Sequence, residues 1–306
     1  MKPDITACII CNDDYKIFDC IKSISSSCNE IIVGFNGHDN KLRSRIRHLH
    51  KVWLIDYNWH NNFAAARNFV IRRASGEWIF IIDADEILQN PITKLSDEID
   101  FYFAKQITNQ TQINHIRLFR NGKNIEYKNK IHEAVDESVT GLRGAISDIV
   151  ILHNSQYDET KLQRNYNILQ KDKSSPVYNF YMMLYHFNSQ NYCDAIKHGQ
   201  LALSDPLNDD LKAITCNIIA ESYCMIRNKD AAKLYIAMSL RLVPTQIFAR
   251  IKILDFLDGT KKSIMLAIKQ LDRLIESQQT DLTYDLKLSK TFLQNKKTEL
   301  QKWQSQ

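Results

Sequence analysis

The first half of the chain alternates short apolar runs with stretches in which apolar residues recur at helical spacing. Residues 4–11, 30–35 and 78–82 are apolar runs rich in β-branched and aromatic side chains and too short for helices, so they predict buried strands. Helical spacing extends over residues 15 to about 26 and 62–76. Alternation of strands and helices with short connections predicts an α/β fold with a doubly wound, mostly parallel sheet.

The second half changes in composition near residue 174. Only two glycines occur beyond this point, and apolar residues recur at helical spacing almost to the end of the chain. Three alanines recur at intervals of 36 residues, close to the period of about 34 residues in tetratricopeptide repeats: Ala195, Ala231 and Ala267. We therefore expect an α/β domain over residues 1–172 and an all-α, tetratricopeptide-like domain of helical hairpins over 175–306. A plain helical bundle is the alternative.

The composition fits a folded protein outside the membrane. Of the 306 residues, 44% are hydrophobic, which is enough for packed cores, and 25% are charged. No apolar run approaches the roughly 18 residues that span a bilayer, and the first residues do not resemble a signal peptide. Seven cysteines, an odd number, predict reduced thiols and a cytoplasmic location. Cys8 and Cys11 are expected to be buried strand residues.

The net charge of +5 is concentrated in one segment. Seven cationic or histidine side chains occur there within eleven positions: Lys41, Arg43, Arg45, Arg47, His48, His50 and Lys51. The charges fall on more than one face of the expected helix, which favours a solvated surface element. Weak contact with an anionic membrane surface or an acidic peptide is the alternative. No motif for binding nucleic acid accompanies the cluster, so we expect no nucleic-acid partner.

Two carboxylates follow directly after the apolar run 78–82. Asp83 and Asp85 stand where that strand is expected to end, and ligands of open α/β sheets bind at the carboxyl ends of strands. Carboxylates at positions i and i+2 suit Mg²⁺ or Mn²⁺ shared with a diphosphate, because such ions take few protein oxygens and complete their shell with phosphate and water. The alternative is an acidic turn that merely ends the strand.

The motifs around these acids resemble those of the inverting family 2 glycosyltransferases of the GT-A fold. The first block of the resemblance comprises Trp59, Asn62-Phe63, Ala66-Arg67-Asn68, Gly76 to Ile79 and Asp83-Ala84-Asp85-Glu86. The second comprises Arg117 to Gly122, Ile131-His132-Glu133, Leu152-His153-Asn154 and Tyr157. The order of these motifs is also similar to the bacterial enzymes that glycosylate cysteine or serine in bacteriocin precursors. The resemblance covers roughly the first 170 residues.

This resemblance implies a site for a nucleoside diphosphate sugar and a divalent metal, Mg²⁺ or Mn²⁺. It implies Asp85 as the first metal ligand, with His153 completing the metal site or, alternatively, bonding to buried backbone. Six residues are implied as nucleotide-sugar ligands: Asn12, Asp13, Asn36, Arg67, Asn68 and Asp83. Phe35 and Asn36 stand where the family usually has an aspartate, so either the amide of Asn36 or the ring of Phe35 would contact the base.

An inverting transfer also needs a group that takes the acceptor's proton. Glu133 is our candidate base, and His132 is the candidate for orienting it or replacing it. These two residues follow a strand-like run over residues 124–131. A cysteine acceptor would ease the task of the base, because a thiol with a pKa near 8.5 ionises more readily than a hydroxyl.

The resulting hypothesis is a metal-dependent transferase that moves a hexose, with glucose from a UDP-sugar favoured, to a Cys or Ser/Thr side chain of a peptide such as a bacteriocin precursor. A first alternative keeps the reaction and replaces the acceptor with a lipopolysaccharide-core or other cell-envelope glycan. A second is a non-catalytic adaptor with a degenerate transferase domain. The helical domain is expected to offer a concave surface for the peptide, or a contact for a homodimer.

Overall fold

The computed structural model describes residues 3–108, 112–135, 138–153, 159–257, 259–276 and 290–304. The chain packs as two compact units, Met1–Lys171 and Asp172–Gln306. An α/β unit is followed by an all-α unit, and the predicted fold class is confirmed.

One mixed sheet forms the centre of the first unit, with the strand order β3-β2-β1-β4-β7-β6-β8-β5. The strands are β1 (Ile5–Cys11), β2 (Glu30–Phe35), β3 (Val52–Asp56), β4 (Trp78–Ile81), β5 (Glu86–Leu88), β6 (Phe101–Ile107), β7 (Gln112–Arg120) and β8 (Gly144–His153). The first four pair in parallel, whereas β7 runs antiparallel to both β4 and β6. The antiparallel strands were not predicted, because their sequences alternate polar and apolar residues less regularly than a strand with one solvated face usually does.

The described residues of the same unit form four helices: α1 (Ile17–Ile24), α2 (Asn40–Arg47), α3 (Phe63–Ile71) and α4 (Glu159–Gln170). Side-chain caps determine where α2 and α3 begin. Asp39 accepts hydrogen bonds from two backbone N–H groups of α2, and Asn62 accepts one from Ala65 of α3. Helix α1 is shorter at both ends than its apolar pattern predicted, and α3 ends before Gly76.

The segment over residues 124–131 is not a strand, and that prediction was wrong. Within the part of the chain that the structure describes, its only ladder contact is an isolated bridge between Lys128 and Ala134. Asn124 and Asn129 have φ of 55° and 70°, a left-handed conformation that interrupts an extended strand. The segment is instead fixed by side-chain hydrogen bonds, which are described with the site below.

Several side chains of the cationic segment contact the rest of the protein, whereas the side chains of a solvated helix would face water. Arg43 forms an ion pair with Asp56, and Arg45 lies 4.3 Å from the ring centre of Phe18. Lys51 donates to the backbone oxygen of Cys28 at 2.9 Å. Three of the seven charged or histidine positions therefore support the local fold rather than a continuous cationic surface.

The second unit consists of helices that pack on their neighbours in sequence. They are α5 (Tyr178–Asn188), α6 (Tyr192–Ala202), α7 (Asp209–Met225), α8 (Lys229–Leu242), α9 (Ile247–Lys252), α10 (Lys261–Glu276) and α11 (Lys290–Gln304), with a 3₁₀ turn at Ile253–Phe256. Helix α5 contacts both α6 and α7, and α7 packs on α8, as consecutive helical hairpins do. No helix among the described residues is long and apolar enough to cross a membrane.

The repeat within this unit has a slightly different register from the predicted one. Asn191 and Asn228 cap α6 and α8 in the same way, each accepting from a backbone N–H in the first turn. Relative to these caps, Ala195 corresponds to Ala232, and both are fully buried, whereas Ala231 is not. The interval between equivalent alanines of α6 and α8 is thus one residue longer than the spacing from Ala195 to Ala231 indicated. Two adjacent alanines in α8 made the repeat register ambiguous in the sequence.

Close packing of α6 on α7 gives a first prediction, at Gly199. Replacing a helical glycine with alanine usually stabilises a helix by roughly 1 kcal/mol. At Gly199, however, an added Cβ would lie 2.6 Å from Cγ1 of Ile219 and 3.0 Å from the sulfur of Met183. Both neighbours are fully buried, so Gly199→Ala should destabilise the protein by about 1–3 kcal/mol in urea denaturation.

Lys197→Ala is the matched control, because it lies on the same helix with an exposed side chain. It should change the free energy of unfolding by no more than about 0.5 kcal/mol. An increase in stability for Gly199→Ala would show that α6 and α7 are further apart than described.

Candidate active site

The predicted site residues gather at the carboxyl edge of the parallel strands. Cys8 of β1 is paired with Ile81 of β4, and Cys11 is paired with Phe35 at the end of β2. Because these three strands are parallel neighbours, the residues that follow them emerge at the same edge. The sheet thereby places the acids after β4 beside the polar segments after β1 and β2.

Arg67 connects two of the predicted site residues. It lies on the second turn of α3, is 7% exposed, and projects beneath the turn that follows β4. Its Nη1 is 2.7 Å from Oδ1 of Asp83, and its Nε donates to Oε1 of Glu133 at 2.7 Å. The guanidinium carbon lies 5.4 Å from the ring centre of Tyr127. Arg67 therefore fixes the relative positions of Asp83 and Glu133, which are far apart in the chain.

A second buried arginine, Arg117 of β7, supports the same turn. Its Nη2 donates to Oε1 of Glu86 at 2.8 Å, and its Nη1 is 3.7 Å from Oδ2 of Asp83. Glu86 has no exposed surface, and its Oε2 accepts from the backbone N–H of Asp83 at 2.8 Å. The side-chain amide of Gln106 also donates to Glu86. Glu86 thus holds the turn from within, and Arg117 compensates its charge.

Asp83 and Glu86, the two carboxylates of this turn that contact the buried arginines, have opposite pKa shifts. Burial disfavours the ionised form of Asp83, but the charges of Arg67 and Arg117 outweigh it and hold the pKa of Asp83 well below its usual range. Burial also raises the pKa of Glu86 above its usual value, against the opposing charge of Arg117. Asp83 is therefore the firmly ionised member of the pair.

Asp85 and His153 come together, as the resemblance implied. Nε2 of His153 lies 3.4 Å from Oδ2 of Asp85, and Nζ of Lys161 lies 3.6 Å from the same oxygen. The contact with Asp85 raises the pKa of His153. On the other side of the ring, Nδ1 of His153 lies 3.3 Å from the side-chain nitrogen of Gln106.

This pair would offer one oxygen and one nitrogen to a divalent cation. Within the described residues there is no group of three His, Cys, Asp or Glu side chains that could hold a metal. A cation at Asp85 and His153 would therefore take its remaining ligands from a diphosphate and water, which is how Mg²⁺ is usually bound together with phosphates. The donor atoms fit such an ion.

Asn68 and Asp13 each hold a neighbouring loop. The amide of Asn68 donates to the backbone oxygen of Tyr127 and accepts from its N–H, both at 2.9 Å. The carboxylate of Asp13 accepts from the backbone N–H groups of His38 and Asp39 at 3.0 and 2.8 Å. These bonds fix the segment that leads to Glu133 and the loop after β2. Contact of either side chain with a nucleotide stays a prediction.

Asn12 is exposed after β1, and Asn36 is half-buried after β2 with its N–H bonded to the oxygen of Cys11 at 2.9 Å. The ring of Phe35 is only 2% exposed within the core, so the alternative that it stacks on a base was wrong. Gly37 has no space for a side chain, because a Cβ would lie 2.1 Å from Oδ1 of Asp13. Contact of the Asn36 amide with the base stays a prediction.

His132 is exposed beside the half-buried Glu133 and has φ of 54°. The backbone before it is tied to α3, since the N–H of Phe63 donates to the oxygen of Lys130 at 2.8 Å. Trp59 packs edge-on against Phe63 with ring centres 4.7 Å apart. The motif residues Asn154 and Tyr157 lie outside the described residues.

Sequence reasoning missed three residues of this site: Glu86, Gln106 and Arg117. Glu86 directly follows the two recognised acids, and Arg117 begins the second motif block. The presence of a charged residue in or beside a recognised motif could therefore have indicated that each belongs to the site. Gln106 gave no signal, because its role depends on β6 lying beside β8.

Comparison with known proteins assigns the family. The sequence model of Glycosyl transferase family 2 matches residues 10–231, which is more than half of the chain. The chain therefore belongs to glycosyl transferase family 2. It is 29% identical over 145 residues to the SPbeta prophage-derived glycosyltransferase SunS of Bacillus subtilis, covering 43% of this chain and 34% of SunS.

A TPR repeat-containing protein of Synechococcus elongatus, Synpcc7942_0270, is 29% identical over 150 residues, covering 45% of this chain and 37% of that protein. The chain thus matches little more than a third of the length of either relative.

Two solved structures are similar over most of the chain. One is the mannosyltransferase PcManGT from Pyrobaculum calidifontis in complex with GDP-Man and Mn²⁺, with a TM-score of 0.46, 12% identity and coverage of 88% of this chain and 84% of that one. The other is S. aureus TarS 1–349 in complex with UDP-GlcNAc, with a TM-score of 0.44, 11% identity and coverage of 76% and 90%.

The buried pair of Arg117 and Glu86 gives a second prediction. Arg117→Met removes the cation and leaves the fully buried carboxylate of Glu86 uncompensated, which should cost about 3–5 kcal/mol in the free energy of unfolding. The double variant Arg117→Met, Glu86→Gln removes both charges and should be more stable than Arg117→Met alone. Urea denaturation measures both values.

Arg43→Met is the control, because its partner Asp56 is largely exposed and the pair should contribute less than about 1 kcal/mol. An equal decrease in the free energy of unfolding for Arg117→Met and for the double variant would show that Arg117 contributes packing rather than charge compensation.

Proposed function

We propose that this protein is an inverting, metal-dependent glycosyltransferase that moves a hexose from a nucleoside diphosphate sugar to the side chain of a Cys, Ser or Thr in a peptide. The observation that carries the proposal is Arg67, which joins Asp83 at the carboxyl edge of the sheet to Glu133 through two contacts of 2.7 Å. Membership of glycosyl transferase family 2 supports the reaction type.

The donor would bind along the edge formed by β1, β2 and β4. Asn12 and Asn36 offer amide groups there, and Asp83 offers an ionised carboxylate suited to the hydroxyls of a ribose. A UDP-sugar, with glucose as the hexose, is the donor to test first, because the resemblance to the bacteriocin-modifying enzymes favours it. UDP-GlcNAc, the nucleotide sugar in the TarS complex, is a second donor to include in the same screen.

Proton transfer is assigned to Glu133. Its Oε1 is held by Arg67, whereas its Oε2 has no partner among the residues that the structure describes and would accept the proton of the acceptor. The sulfur or oxygen that loses this proton attacks the anomeric carbon on the face opposite to the diphosphate. The bond from that carbon to the phosphate oxygen breaks, and its electron pair leaves with the nucleoside diphosphate, so the anomeric configuration is inverted.

The metal would be held by Asp85 and His153. When bound, it neutralises the negative charge of the departing diphosphate. Lys161 lies 3.6 Å from Asp85 and adds a fixed positive charge on the same side of the site. Arg67 and Arg117 are engaged with carboxylates of the protein, so we assign them to holding the turn in place. Contact of Arg67 with the nucleotide stays a prediction.

The similarity to SunS, whose name describes it as a glycosyltransferase, supports glycosyl transfer. The peptide acceptor is proposed from the resemblance to enzymes that modify bacteriocin precursors. Helical hairpins such as those of α5–α8 commonly bind peptides on one face. Cysteine is the most easily deprotonated of the three acceptors, since its unperturbed pKa is near 8.5.

The third prediction tests the base. Glu133→Gln keeps the shape and the contact with Arg67 but removes the group that accepts a proton. Turnover with a peptide that the parent modifies should fall on the order of 10²–10⁴-fold, and the Michaelis constant for the donor should barely change. Steady-state kinetics with mass-spectrometric detection of the product measures both quantities.

Glu126→Gln is the matched control, because Glu126 is an exposed carboxylate in the same segment and lies 3.9 Å from Arg72. It should keep the turnover of the parent. If Glu133→Gln weakens donor binding and retains its turnover at saturation, Glu133 binds the donor and the base is another residue.

The fourth prediction tests the metal. Asp85→Asn should lose peptide transfer and Mn²⁺-stimulated hydrolysis of the donor, while its circular dichroism spectrum stays that of the parent. Asp97→Asn, at a fully exposed carboxylate, should change neither activity. Full activity of the parent protein in EDTA would contradict the metal assignment.

A further inference from the structure

A cavity of about 480 Å³ lies along one face of α4, within the first unit. Side chains from successive turns of α4, the residue just after that helix and one residue of the loop before α3 line it: Asn61, Thr160, Gln163, Arg164, Asn167, Ile168 and Lys171. All of them except Ile168 are polar or cationic. The spacing of three and four residues along α4 places these side chains on a single face of the helix. The volume suits a short segment of a ligand rather than a folded partner.

The lining has a distinct chemistry. Asn61, Gln163 and Asn167 carry carboxamides, and an amide both donates and accepts hydrogen bonds, as the peptide group does. Part of this capacity is used within the protein, since Asn61 accepts from the indole of Trp59 and Gln163 donates to Asn167. Arg164 and Lys171 add two positive charges, and no carboxylate is among the described lining residues. Such a surface favours a ligand that combines amide groups with a negative charge.

Two successive contacts connect the cavity to the segment that carries the proposed base. The guanidinium of Arg164 lies 5.0 Å from the ring centre of Phe63, the first residue of α3. The N–H of Phe63 donates to the oxygen of Lys130, three residues before Glu133. A ligand in the cavity would therefore lie near, but outside, the groups that are proposed to carry out the reaction.

We propose that this cavity binds the part of the acceptor peptide next to the modified side chain, and that it selects an Asp or Glu there. This inference rests on the proposed function, since it assigns the acceptor of that same reaction. The carboxamides favour a peptide over an isolated phosphate group, because they match the donors and acceptors of a peptide backbone. Arg164 and Lys171 would pair with the acidic side chain.

The test measures binding without the donor, so that it does not depend on transfer. Two fluorescent synthetic peptides, one with a Cys flanked by Asp and one with the same Cys flanked by Asn, are titrated with the full chain and followed by fluorescence anisotropy. The parent should bind the Asp peptide about tenfold more tightly, as expected for one charge-assisted contact. Lys171→Glu alone, and Lys171→Glu with Arg164→Gln, should lose this preference.

The matched control is Lys41→Glu with Arg47→Glu, which lowers the net charge by more than the test variants do, at exposed positions of α2. This control should keep the preference for the Asp peptide. Equal affinities of the parent for the two peptides, or an unchanged preference in both Lys171 variants, would overturn the inference. So would displacement of the Asp peptide by inorganic pyrophosphate at lower concentration than by unlabelled Asp peptide, since the cavity would then be a phosphate site.

The same peptides distinguish this inference from the proposed function. If the Asp peptide binds with the expected preference but neither peptide is glycosylated with any donor, the reaction assignment fails and the cavity assignment stands. If both peptides bind with equal affinity and are glycosylated at equal rates, the reaction assignment stands and the cavity assignment fails.

Discussion

The pairing of two clustered carboxylates, Asp83 and Glu86, with two buried arginines is the interaction on which the rest of the site depends. Asp83, Asp85 and Glu86 lie within four consecutive positions, and their charges repel one another at such short range. Arg67 and Arg117 lie beneath the turn at 2.7 and 2.8 Å from Asp83 and Glu86. Burying these charges is tolerable only because each has a partner. The partner of Asp85 is His153 rather than an arginine, whereas the arginines fix the direction in which Asp83 points.

The topology of the sheet explains why two arginines can reach the same turn. Arg67 comes from α3, which directly precedes β4 in the chain, whereas Arg117 comes from β7, which pairs antiparallel with β4. The turn after β4 is therefore held by a helix on one side and by a neighbouring strand on the other. Residues that follow β4 become part of a rigid scaffold, which is what a site that must position a donor requires.

Arg67 also links this scaffold to a segment with no regular secondary structure. Residues 124–135 have one isolated bridge, and their position depends on Asn68, on the backbone bond of Phe63 and on Arg67 itself. All three belong to α3, so one short helix aligns the acids of β4 with Glu133. A loop fixed in this way can carry a reactive group while its hydrogen-bonding needs are met locally.

The sequence by itself determined the buried strands β1, β2 and β4, the two-unit organisation and the family motifs, because each rests on a local pattern of apolar or charged residues. It did not determine the strand order, the role of Gln106 or the pairing of Arg67 with Glu133, since these residues are far apart in the chain. It also misjudged residues 124–131, whose apolar positions alternate as in a strand although asparagines with positive φ break it. Only the tertiary structure decided these points. A buried charge is costly without a partner, and the partner that the fold places beside it can come from any part of the chain.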